Sequence, residues 1–165
     1  MTADFFAVLD IPRSFNLNLT HLEQQYFAAQ RRFHPDRLIG KTAMERQQAI
    51  SQSMLANEAY DTLKSSLKRA QHLLALEGIA GDSVKPSQAL LMEIMELRES
   101  LAEAATLQEI EELAHRNDAA KAEALSLLSR AFSAADNHTA AETTMRLSYL
   151  MKLEDEVRIR RKAAA

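Results

Sequence analysis

Residues 20–41 read THLEQQYFAAQRRFHPDRLIGK. Thr20-His21-Leu22-Glu23 has the form of a capping box, in which the threonine hydroxyl and the glutamate carboxylate satisfy each other's free amides at a helix start. Leu22, Tyr26, Ala29 and Phe33 then recur at helical spacing and predict an amphipathic helix. Pro35 stops it, because proline lacks an amide hydrogen and disfavours helical geometry in the residue before it. Arg37 to Lys41, with Gly40, predicts a loop, and Ile50, Met54, Asn57, Tyr60 and Leu63 predict the next helix. Two helices joined by a short polar loop make an antiparallel hairpin.

Composition extends the helical reading to the whole chain. Only three glycines and three prolines occur in 165 residues, and Ala, Leu, Glu, Gln, Lys, Arg and Met, which lose little freedom in a helix, dominate. The expected class is all-α. The absence of cysteine excludes disulfides, thiolate metal sites and thiol catalysis. A net charge of −3 argues against general attraction to nucleic acid. No apolar stretch reaches membrane-spanning length and no basic leader precedes Asp4, so a soluble cytoplasmic protein without a membrane partner is expected.

The breaks divide the chain. A short helix over Asp4 to Leu9 ends at Ile11-Pro12, and a helix around Leu67 to Leu76 follows the hairpin. Gly78, Gly81 and Pro86 then fall within nine residues, placing a boundary there. The expected domains are 1–76, a linker 77–86, and 87–165. In the last, Ser87 to Ala104, Leu107 to Ala135 and Thr139 to Arg161 read as three long helices, with Asp136-Asn137-His138 as a turn and Ala163 to Ala165 as a frayed tail. Leu90, Ile94, Leu97 and Leu101 form one core stripe; Ile110, Leu113, Asn117, Ala120, Ala124, Leu127 and Ala131 form another. A three-helix bundle satisfies both.

His34-Pro35-Asp36 stands at the tip of the hairpin, ahead of Ala56-Asn57-Glu58-Ala59-Tyr60-Asp61-Thr62-Leu63. This arrangement resembles a J-domain. Arg31, Arg32, Arg37 and Lys41 outweigh Glu23 and Asp36 around the tip, a basic strip suited to steering onto an acidic partner. The resemblance implies that strip and tripeptide dock on a DnaK-type chaperone and stimulate its ATPase, with the chemistry belonging to the partner.

The second half narrows the family. Leu73-Leu74-Ala75-Leu76-Glu77-Gly78, followed by Leu91-Met92-Glu93-Ile94-Met95-Glu96-Leu97-Arg98-Glu99-Ser100-Leu101, resembles the HscB co-chaperones. These join a J-domain hairpin to a helical bundle that holds the iron-sulfur scaffold IscU and work with an HscA chaperone. Independently of the family, Leu91, Met92 and Met95 add three large apolar groups beside a complete core stripe, and Glu96, Glu99 and Glu103 continue that side. An apolar centre with a charged rim reads as a partner surface. The resemblance implies that Leu91, Met92, Met95, Glu96, Glu99, Glu103 and, on the last helix, Tyr149 contact the scaffold. Ser66 and His72 depart from the family pattern, which commonly has proline and tyrosine there.

Three other readings compete. A metal or acid-base enzyme would need ligand pairs, yet His21, His34, His72, His115 and His138 form no His-x-x-x-His and no pair of Glu-x-x-His motifs on facing helices; no cofactor is expected. A purely structural helical adaptor explains the bundle but not the tripeptide. A general J-domain protein with a different client explains both.

Overall fold

The computed structural model describes residues 2–81 and 83–165. Met1, at the start of the expected first domain, and Asp82, in the expected linker, lie outside them. Among the described residues the chain is all-α: α1 Phe5–Val8, α2 Leu19–Arg32, α3 Ala43–Leu63, α4 Ser66–Leu76, α5 Gln88–Glu103, α6 Leu107–Ser133 and α7 Asn137–Ala164, with a 3-10 turn over Pro35–Leu38 between α2 and α3. It separates into two compact units that divide between Glu77 and Gly78.

In the first unit α1, α2 and α4 all pack against α3. The core gathers Phe5, Phe6, Leu9, Ile11, Leu22, Ala29, Ala56, Ala59 and Leu63. Fully burying a side chain such as Phe6 contributes about 2–3 kcal/mol. Small alanines on the inner face of α3 let its neighbours approach closely. The predicted stripe on α3 is therefore largely on the wrong face: Ile50, Met54 and Asn57 are exposed, Tyr60 is half-buried, and of the five only Leu63 is core. Periodicity picks out large apolar residues, whereas here tight packing selects small ones.

Helix ends also differ from the sequence reading. α2 is capped by Asn18, whose side chain accepts the His21 amide, so Thr20-Glu23 is not its capping box. The chain leaves α1 before Pro12: Asp10, at φ 53°, ends it, with Asp10 N–H donating to Ala7 and Ile11 N–H to Phe6. These are the two hydrogen bonds of a Schellman motif, sealed by the apolar contact expected between its outer residue and the third-last helical one. α4 begins at the Ser65 cap. Ser66 there accepts from Arg69, a buried side chain whose Nη1 donates 2.7 Å to the Leu63 carbonyl and whose guanidinium lies 5.1 Å from the Phe15 ring centroid. Arg69 thus closes the end of α3.

His72 is core too. Its Nε2 accepts the Phe5 amide at 3.1 Å, one of the free donors at the start of α1, and its ring stacks on Phe5 at 4.5 Å. Burial pushes its pKa below the ordinary histidine value. The unfolded chain then takes up a proton that the folded one resists, so the contribution of His72 is complete above about pH 6.5 and is lost as pH falls from there toward the lower folded value. In the full chain, the urea midpoint of the first unit, followed by NMR signals of α3 amides, should fall between pH 7.5 and 5; His72→Leu should flatten that slope. An equal slope in both proteins would remove His72 as its source.

The second unit is a three-helix bundle. Arg98 pairs with Glu156 and Glu93 with Arg146, so α5 and α7 run parallel; Asn117 donates to the Leu150 carbonyl and Arg161 pairs with Glu111, so α6 runs against α7. All four residues of the α5 stripe are buried. On α6 the stripe is nearly as expected, with Leu128 replacing the half-buried Leu127 and Ala120 half-buried. The α6–α7 turn is another Schellman motif, with Ala135 at φ 54°, and α7 starts at Asn137 from the Asp136 cap, ahead of Thr139. α7 continues through Ala164, into the expected fray.

Candidate functional sites

Each unit presents one surface that its own packing does not use. At the tip of the first, His34 is extended, as a residue before proline should be, and caps the 3-10 turn. Asp36 N–H donates to His34 Nδ1 at 3.3 Å and Arg37 N–H to the His34 carbonyl at 2.9 Å. The side chains of His34 and Asp36 remain 59% and 86% exposed. Arg31, Arg32, Pro35, Arg37 and Lys41 are exposed around them. Lys41 lies 3.8 Å from Glu45, while Arg31, Arg32 and Arg37 have no ion-pair partner among the described residues. The structure brings all seven predicted tip residues to one end of the hairpin.

What holds that end is a polar network the sequence reading missed. Gln30 Nε2 donates to Asn57 Oδ1 at 2.8 Å and to the Ser53 carbonyl at 3.2 Å, Ser53 Oγ donates back to Gln30 Oε1 at 2.7 Å, and Tyr26 Oη donates to Asn57 Oδ1 at 2.7 Å. Tyr26 also stacks on Tyr60 at 4.4 Å. Asn57 and Tyr60 therefore serve as fasteners along one edge of α2 and α3, and a helical position holding Asn where an apolar residue is expected was the available signal.

On the second unit, Leu91, Met92 and Met95 are 42%, 64% and 60% exposed although the stripe beside them is fully buried. Several carboxylates near this face are already engaged within the unit. Glu93 pairs with Arg146, Glu111 with Arg161, and Glu109 caps α6 by accepting from Ala105 and Thr106. Glu96 stands 3.8 Å from Arg116. Glu99 and Glu103 are exposed and have no ion-pair partner among the described residues. Tyr149 is half-buried rather than core, with the Lys152 ammonium 5.5 Å from its ring centroid. Leu91 precedes Arg98, and Tyr149 precedes Glu156, by two helical turns, so the Arg98–Glu156 pair at 3.0 Å sets the Leu91 edge of α5 beside the Tyr149 edge of α7.

Among the described residues no group of three or more His, Cys, Asp or Glu side chains is placed to hold a metal ion, and no helix is long and apolar enough to cross a membrane.

The chain as a whole is similar to known proteins. Residues 86–158 match the model of the HSCB C-terminal oligomerisation domain. The co-chaperone protein HscB homolog of Neisseria meningitidis is 34% identical over 161 residues, covering 94% of this chain and 97% of the relative. This chain belongs to the HscB co-chaperone family. Two solved structures agree across both units: human co-chaperone HscB, with TM-score 0.86, 31% identity and coverage of 96% of this chain and 82% of the other, and chaperone HscB from Vibrio cholerae, with TM-score 0.84, 30% identity and coverage of 99% and 100%. The Neisseria and human relatives are both co-chaperones.

Proposed function

We propose that this chain is a co-chaperone of iron-sulfur cluster assembly with two working ends. Residues 1–76 act as a J-domain: the Arg31, Arg32, Arg37 and Lys41 strip steers it onto an HscA-type member of the DnaK class, and His34-Pro35-Asp36 triggers ATP hydrolysis there. Residues 87–165, after the 77–86 connection, hold the IscU scaffold on Leu91, Met92, Met95, Glu96, Glu99, Glu103 and Tyr149. The chain itself catalyses nothing and needs no cofactor.

The observation that carries this reading is the surplus on α5. A helix whose core stripe is already complete has no folding reason to show three further large apolar side chains, and an apolar centre edged by free carboxylates suits a protein partner with matching basic groups. Methionine adapts to irregular contacts. Holding client and chaperone at once turns their meeting into an intramolecular event, with effective concentrations reaching the millimolar range. Steady-state phosphate release by the chaperone should therefore rise more with chain and scaffold together than the sum of their separate effects. Equal stimulation with and without scaffold would leave a general J-domain protein serving another client.

A further inference from the structure

Leu97 and Leu101, each followed by a poor substitute in Arg98 and Ala102, fix the rotation of the second half of α5, but its first two turns are under-determined by their own apolar pattern. Those turns carry Leu90, Leu91, Met92, Ile94 and Met95, so twisting them by about one residue against the anchored half would replace Leu90 and Ile94 at the interface by Leu91 and Met95 at little cost in apolar burial. In these turns something other than hydrophobicity must choose which set faces out. The first turns need it most, because helix ends open most readily and Leu91 and Met92 lie within five residues of the Ser87 cap.

We propose that Arg146 is a positioning residue for the scaffold-binding face, acting through Glu93; this rests on the reading above. Glu93 adjoins Met92. Arg146 grips it with a two-pronged fork, Nη2 to Oε1 at 2.7 Å and Nε to Oε2 at 3.0 Å, and both terminal nitrogens also reach Glu123 Oε2 on α6 at 3.3 Å. One guanidinium on α7 thus ties together all three helices. Its side chain is 22% exposed and that of Glu93 32%, so water screens the pair less than the exposed ones. Apolar contacts tolerate rotation; a planar fork on a carboxylate does not. A partly buried ion pair is best attested as a selector of register, and here it selects the rotation of α5 that leaves Leu91, Met92 and Met95 outside.

The test is a double-mutant cycle on the full chain, with IscU affinity read by calorimetry well below the melting temperature. Arg146→Met, which keeps length without the fork, should weaken binding about tenfold, and the cost of Met92→Ala should shrink from about tenfold in the native background to about threefold in the Arg146→Met background. Hydrogen exchange should show lost protection at amides 91–96 of α5 while the centres of α6 and α7 stay protected. Arg146→Lys, which keeps charge and fold but loses the fork, should fall between. Equal Met92→Ala factors in both backgrounds, or unchanged α5 protection, would overturn the positioning role while leaving the scaffold face standing. An unchanged affinity for Met92→Ala in the native background would instead overturn the scaffold face itself, and the positioning role with it.

Discussion

His34→Gln is expected to return chaperone phosphate release to its basal rate while leaving the helical circular dichroism signal and the melting temperature unchanged. The separation follows from where the ring sits. Its side chain is 59% exposed and its protein contacts are the Asp36 amide and carboxylate, so neither core loses anything when it changes. What remains for the ring to do is to meet a partner. Contacts at the centre of a transient interface carry a disproportionate share of its energy, and losing one worth about 2–3 kcal/mol costs roughly 30-fold to 150-fold. Retained stimulation by the variant would sink the J-domain role of the first unit.

The second large effect is expected from Met92→Ala combined with Met95→Ala. Both side chains are more than half exposed in the free chain, so truncation removes little that folding uses. On docking they would give up the rest of their surface to the scaffold, and their joint loss should lower its affinity by about 2 kcal/mol or more, roughly thirtyfold, in calorimetry. Melting temperature should hold within a degree or two. The reverse result, a falling melting temperature at constant affinity, would return both residues to the core.

Much of this was legible in the sequence, and the failures share a cause. The α5 stripe was readable because large apolar residues at helical spacing leave one consistent solution, and the exposed methionines were readable as the remainder. Hairpin and tip followed from proline and glycine, whose backbone restrictions are local. α3 was misread because its inner face is built on Ala49, Ala56 and Ala59, whose value lies in closeness rather than size. The caps were misplaced because Asn18 and Thr20 are both competent, and tertiary packing decides between them. The Arg146 fork could not be read at all: it joins residues 53 apart in sequence, and no spacing rule reports such a meeting.

The geometry at His34 also fixes what a docking partner is offered. With Nδ1 occupied by the Asp36 amide, the neutral ring keeps its hydrogen on Nε2, the nitrogen left facing outward. The tip therefore gives a proton rather than a lone pair, and its complement is an acceptor such as a carboxylate or a main-chain carbonyl. The aspartate of the tripeptide thereby orients the histidine as well as carrying a charge of its own.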